Sequence, residues 1–315
     1  MALVLAVCFV AFTNGANANF KGVASLYGSG TTSLRTALMW GTGMTFIGSL
    51  AAIYFASGLL KSFSGRGIVP DVLAQSHHFA TAVAIGAALS SYLATRLGFP
   101  VSTTHALVGA LFGAGIAGGQ GQVSIVALTK NFVFPLFFSP LVAIAIGAIL
   151  YGILIRFGML PSQRHRTLDI LHFASTGSAS FARGLNDTPK IAALLLLAPG
   201  LDSTLCILIV GVGILIGGLI DAEGVAETLG KKVTGMNPGQ GFAASLVTAG
   251  LVTSASWHSL PVSTTHVSVG ALLGIGITTR QANWRKVGEI LLAWVSTLPC
   301  SAAISATVYL IMHLF

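Results

Sequence analysis

Two copies of one six-residue segment, Pro100-Val101-Ser102-Thr103-Thr104-His105 and Pro261-Val262-Ser263-Thr264-Thr265-His266, gather hydroxyl groups directly behind a proline. That order suits the first turn of a helix, where backbone N–H groups lack intrahelical partners and the helix dipole favours an anion. One Ser-Thr-Thr run alone reads as an ordinary N-cap, or as hydroxyls satisfying nearby carbonyls. The duplication changes the balance, because two such turns facing each other can hold a single oxyanion. Each helix end brings roughly half a positive charge, and hydroxyls with N–H groups bind an anion firmly enough to dehydrate it and weakly enough to release it.

A second duplication precedes the first in each half. Gly15-Ala16-Asn17-Ala18-Asn19-Phe20-Lys21 and Gly184-Leu185-Asn186-Asp187-Thr188-Pro189-Lys190 share the pattern Gly-x-Asn-x-x-x-Lys at an offset of 169 (186 − 17). The hydroxyl runs are offset by 161 (266 − 105). Two motifs repeated in one order at nearly one separation predict a duplication of about half the chain, residues 1–160 and 161–315. The junction falls between Arg156 and Asp169, where Pro161, Arg164, His165 and Arg166 break the apolar pattern.

Among charged residues Asp187 stands out, since a carboxylate at bilayer depth costs about 2.5–3.5 kcal/mol unless paired or hydrated. Arg183 and Lys190, four before and three after it, share its face on a continuous helix. This trio is either a local ion pair holding a helix break or a cation or proton site beside the anion. Asn17 and Asn186 offer amide oxygens to sodium, or interhelical hydrogen bonds. Lys21 and Lys190 lie one helical turn beyond those asparagines and either attract the anion or snorkel to the interface. His105 and His266 suit capping or interhelical hydrogen bonds, with proton carriage as the second reading. Adjacent His77 and His78 point in different directions on a helix and do not make a metal site.

The elements that must position these groups follow from composition. With 54% hydrophobic and 8% charged residues and a mean hydropathy of +0.86, the chain reads as an integral membrane protein. Its long apolar stretches lack barrel alternation, so the expected class is all-α. Five stretches occupy each half: about 1–27, 36–60, 76–97, 102–118 and 123–155, then 170–199, 203–220, 239–259, 263–278 and 287–315. The fourth of each is short and Gly-rich, which points to discontinuous or re-entrant helices around a midplane site. Gly109 with Gly113, and Gly270 with Gly274, also form small-xxx-small pairs suited to close helix packing. Pro135 and Pro140 predict a kink in the fifth stretch, or its division into two passes.

Met1 to Thr13 and Ala16-Asn17-Ala18 have the look of a signal peptide with its cleavage site, but no basic n-region precedes them and the next residues match the downstream copy. We read them as the first membrane segment. Cys8, Cys206 and Cys300 are widely separated and offer neither metal-ligand spacing nor a disulfide framework. The formal charge of +8 is scattered, without the dense basic tract of a nucleic-acid binder. Arg156, Arg164 and Arg166, and Arg280, Arg285 and Lys286, mark cytoplasmic loops, whereas the first-half counterpart of the latter loop has only Lys130. That contrast favours two repeats of inverted topology.

At these two duplicated motifs the chain resembles the inorganic phosphate transporter (PiT) family of phosphate permeases and cation-coupled phosphate symporters, over nearly its whole length. The resemblance implies a multi-pass carrier, not an enzyme, in a prokaryotic inner (plasma) membrane. It would bind inorganic phosphate and couple its movement to sodium or protons, with no cofactor besides that ion. It further implies that Ser102, Thr103, Thr104, Ser263, Thr264 and Thr265 contribute phosphate ligands. Asn17, Asn186 and Asp187 would form the adjoining substrate and coupling-ion region, with sodium near Asp187. Lys21, Lys190 and Arg183 would give electrostatic support; the lipid bilayer is a partner, and a homo-oligomer stays open.

One departure concerns charge. Ala18 stands where the family pattern resembles Gly-Ala-Asn-Asp, so Lys21, Arg183, Lys190 and Asp187 together carry +2, three cations less one carboxylate. Other readings are a sulfate carrier, which would use the same donors, and a passive anion channel built from hydroxyls and helix ends. An intramembrane hydrolase is weaker still, because nothing identifies a serine with an oriented base.

Overall fold

In lipid every backbone polar group must find an internal partner, so apolar stretches of this length close into helices. The computed structural model describes residues 1–55, 57–119, 122–160 and 165–314, and among these no strand forms. Ten principal helices result. The first five are α1 (Ala2–Ala18), α2 (Leu34–Phe55), α3 (His77–Arg96), α4 (Thr103–Gly118) and α5 (Phe134–Arg156). The second five are α6 (Arg166–Ala192), α7 (Ser203–Ile220), α8 (Pro238–Trp257), α9 (Thr264–Thr278) and α10 (Trp284–Met312). Among the described residues, six helical stretches are long and apolar enough to cross a membrane. Pro161 and Arg164 of the expected junction lie outside the described residues.

The pairings between helices are unchanged when the two halves are exchanged. Helix α1 packs on α3 and α7, as α6 packs on α8 and α2; α10 packs on α3 and α4, as α5 packs on α8 and α9. The last helix of each half thus braces the short helix of the other. Gly113 and Gly274 permit this contact: a Cβ at Gly113 would sit 2.0 Å from the Ala302 carbonyl oxygen, and one at Gly274 would sit 2.2 Å from that of Ile144. The close-packing reading of the glycine pairs holds.

Helices α4 and α9 have 16 and 15 residues, about 24 and 22 Å of rise, short of the roughly 30 Å hydrocarbon core. Each starts inside the protein. Helix α1 tightens into a 3₁₀ turn over Asn19–Gly22, and α6 does so over Ala193–Leu197. These interruptions are consistent with the discontinuous helices expected from sequence.

Division of the fifth stretch does not occur. Residues Ile125–Arg156 form one 32-residue helical passage, in which a π-helical turn over Thr129–Val133 lies directly ahead of α5 and its Pro135. Helix α6 is too polar to face lipid, carrying Arg183, Asp187 and Lys190, and every residue from Ala182 to Ala192 is buried. Helices α5 and α10 take the lipid face instead, with Phe134, Phe137, Leu292 and Val295 exposed.

Candidate anion site

The two hydroxyl runs meet at the centre of this packing. Ser102 and Ser263 adopt extended backbone and cap α4 and α9, their Oγ atoms accepting the N–H of His105 and His266 at 3.2 Å. Each cap leaves the serine O–H available as a donor. The N–H groups of Thr103, Thr104, Thr264 and Thr265 sit in first turns, where no intrahelical acceptor exists. Two helix N-termini therefore converge with their threonines buried between them.

Both lysines enter this centre rather than the interface. Lys21 is 4% exposed and Lys190 is 1% exposed, which excludes snorkelling. Lys21 Nζ donates to the Val101 carbonyl at 2.6 Å and to Thr265 Oγ1 at 2.7 Å. Lys190 Nζ donates to the Val262 carbonyl at 2.6 Å and to Thr104 Oγ1 at 3.0 Å. The threonines complete the exchange, Thr265 donating to Val101 O at 3.0 Å and Thr104 to Val262 O at 3.3 Å. Each lysine thus holds the valine carbonyl of its own half and the threonine of the other.

Asp187 has the partners its burial demands. Its carboxylate takes Lys190 Nζ at 3.1 Å and Arg183 at 3.2 Å, so the three residues do share one helix face. Thr264 Oγ1 donates to it at 3.1 Å and Asn14 Nδ2 at 3.4 Å. Arg183 also donates to Asn19 Oδ1. Any sodium near Asp187 must share the carboxylate with these donors.

The asparagines differ between halves. Asn17 Nδ2 donates to Thr95 Oγ1 and to the Phe99 carbonyl, both at 2.9 Å, while its Oδ1 accepts the Val101 N–H at 3.1 Å. It ties the entry into α4 to α1, with its Oδ1 engaged by one donor. Asn186 Nδ2 donates to Ser256 Oγ at 2.8 Å, but Val262 N–H turns to Leu260 O instead, and Asn186 Oδ1 is buried without a partner. Neither asparagine bonds the lysine one turn beyond it; Lys21 lies in the 3₁₀ turn, and both lysines are drawn away to valine carbonyls.

His105 and His266 meet edge to face, with ring centroids 4.5 Å apart. His266 bonds the Leu136 carbonyl across helices at 3.0 Å and stacks on Trp294, whose indole N–H donates to Pro100 O at 2.9 Å. Behind the histidines opens a cavity of about 870 Å³, lined by groups such as Val108, Phe112, Leu136, Phe137 and Trp294. Its apolar walls suit hydrocarbon, not a dehydrated anion. A far smaller cavity of about 10 Å³ adjoins Lys21 and is lined by Ser25, Ser245, Thr248 and Ser268.

The sequence reading missed Asn14, whose Nδ2 also donates to Thr103 Oγ1 at 2.9 Å. A signal was present, because Asn14 precedes Asn17 by one helical turn and matches Arg183 at the offset of 169 (183 − 14). The valine carbonyls carried no such signal, since any residue supplies one.

Comparison with known proteins agrees with this geometry. Residues 14–305 match the model of the phosphate transporter family. A probable low-affinity inorganic phosphate transporter of Rhizobium meliloti is 31% identical, covering 98% of this chain and 94% of that protein. One of the same description from Bacillus subtilis is 26% identical over 100% of this chain and 98% of its own length. A solved structure described as the sodium-dependent phosphate transporter superposes with a TM-score of 0.86 at 23% identity, covering 100% of this chain and 98% of that one. It shows that the fold is shared. With its duplicated hydroxyl turns and multi-pass helical membrane fold, the chain belongs to the phosphate transporter family, whose members are transporters and not enzymes.

Proposed function

We propose that this chain carries inorganic phosphate across the membrane by alternating access between two inverted repeats, residues 1–160 and 161–315, coupled to sodium or a proton. The observation that carries the reading is the reciprocal pair of contacts, Lys21 with Thr265 and Lys190 with Thr104, at two converging helix starts. Phosphate oxygens would take the N–H groups of the threonines, the O–H groups of Ser102 and Ser263, and the unused third N–H of Lys21. Matched pairings of helices in the two halves support a rocking of one against the other, as inverted-repeat carriers require.

Asp187 and Asn186 are the groups on which a coupling cation would act. Asp187 is the carboxylate of the cluster, and the unpartnered Asn186 Oδ1 is an acceptor whose burial costs about 1–3 kcal/mol until something donates to it or coordinates it. Asn17, with every polar atom engaged, positions the α4 start instead.

Proteoliposomes containing the purified chain test this function. Labelled phosphate should enter saturably, be driven by unlabelled phosphate on the opposite face, and compete better with arsenate than with sulfate. Stronger competition by sulfate would make it a sulfate carrier, and unsaturable flux without counterflow would make it a channel.

A further inference from the structure

We propose that the ammonium groups of Lys21 and Lys190 occupy the cation positions of the anion site, so that phosphate binds without an accompanying sodium ion. This rests on the phosphate-carrier reading above. In carriers built on interrupted helices, the carbonyl oxygens freed where the helix unwinds are the groups that hold a coupling cation. Here the non-helical carbonyls that face the centre are those of Val101 and Val262, just ahead of α4 and α9. A lysine already holds each of them.

The oxygen types around each ammonium are ones that a hard cation takes, carbonyl and hydroxyl at both lysines and a carboxylate at Lys190 alone. Around Lys21 Nζ they are Val101 O at 2.6 Å and Thr265 Oγ1 at 2.7 Å. Around Lys190 Nζ they are Val262 O at 2.6 Å, Thr104 Oγ1 at 3.0 Å and Asp187 Oδ1 at 3.1 Å. An ammonium is a compact point charge with three donors and no acceptor, so it fills such a shell as a tethered cation. Because both lysines bridge the halves, each also ties its own valine carbonyl to the opposite threonine.

Charge leads to the same result. The buried cluster of Lys21, Arg183, Lys190 and Asp187 carries +2, three cations less one carboxylate, which a doubly charged hydrogen phosphate neutralises. Adding sodium would leave the loaded site positive in a low-dielectric interior, where unbalanced charge is costly. Ala18 matters here, because it stands three residues before Lys21 as Asp187 stands before Lys190, and so the first half carries the cation without the carboxylate. A coupling cation then acts on the reorientation of the carrier, not as a co-ligand of phosphate.

The test is equilibrium binding of labelled inorganic phosphate to the purified full chain, at fixed pH and ionic strength, with sodium exchanged for choline. Wild-type affinity should change by less than about threefold between the two salts, and a larger gain in sodium would overturn the proposal. Lys21→Ala should bind at least about tenfold more weakly in choline and recover at least about threefold in sodium, which can then reach Val101 O and Thr265 Oγ1. A Lys21→Ala protein equally weak in both salts would refute the tethered-cation role. Lys21→Met repeats that comparison should the alanine variant fail to fold, and the wild-type salt exchange decides without either. Absence of phosphate binding in both salts would defeat the carrier reading itself, a result distinct from sodium dependence.

Discussion

Lys21 reaches across 244 residues of sequence to donate to Thr265 at 2.7 Å, bringing a cation of the first half to the hydroxyl run of the second. Its counterpart Lys190 does the same to Thr104. Because each threonine also donates its O–H to the valine carbonyl of the opposite half, lysine, threonine and carbonyl close into two matching triads, one at each helix start. Any motion that separates the halves must break them.

Thr104→Val and Thr265→Val should each weaken phosphate binding while the protein stays folded, since valine keeps the shape and removes the hydroxyl. The lysine retains its valine carbonyl but loses a hydroxyl that orients it. We expect a loss of about 1–2 kcal/mol, or roughly 5- to 30-fold in Kd, in binding of labelled phosphate to the purified variants. Unchanged affinity in both would remove these hydroxyls from the site.

Asp187→Asn leaves Arg183 and Lys190 buried without their carboxylate. Breaking a buried pair this way costs about 3–5 kcal/mol, so thermal unfolding should shift down clearly. In folded protein reconstituted into liposomes, ion-driven accumulation should fall further than phosphate counterflow, because exchange needs no net coupling. Equal losses in the two assays would take Asp187 out of the coupling role.

Ala18→Asp places a carboxylate three residues before Lys21 and lowers the cluster charge from +2 to +1. A carboxylate about 4 Å from sodium gains about 4 kcal/mol of Coulomb attraction at an effective dielectric of 20, before desolvation is subtracted. Phosphate affinity should therefore fall in sodium-free buffer and rise when sodium is added. Isothermal titration in the two salts reads the sign directly; a uniform loss would mark position 18 as a packing site alone.

Gly113→Ala and Gly274→Ala test the bracing of the short helices. The added Cβ would come within 2.0 Å of Ala302 O or 2.2 Å of Ile144 O, both backbone atoms that cannot rotate away. Helices α4 and α9 must then part from α10 and α5, at about 1–3 kcal/mol. Melting temperatures measured by size-exclusion chromatography after heating should drop for both variants, and an unchanged value would mean that the pairs are looser than this packing.

Periodicity and composition are local properties, and so the sequence determined the membrane class, the helical class, the approximate bounds of ten helices and the two duplicated motifs. It also paired Arg183 and Lys190 with Asp187, because residues three and four apart on one helix must be neighbours. What it left open depended on contacts between distant segments. Whether Lys21 and Lys190 snorkel or turn inward is decided by α4 and α9 presenting carbonyls and hydroxyls to them. Whether two prolines divide a helix is decided by the surrounding packing, which keeps the passage helical with a π turn ahead of Pro135 and Pro140 inside the following α-helix. The difference between Asn17 and Asn186 is more subtle, since the residue type is the same and only the direction of one backbone N–H, Val101 toward the amide and Val262 away from it, separates an engaged amide oxygen from an unpartnered one. Backbone direction at an unwound helix start is set by packing from both halves at once, which no single stretch of sequence encodes.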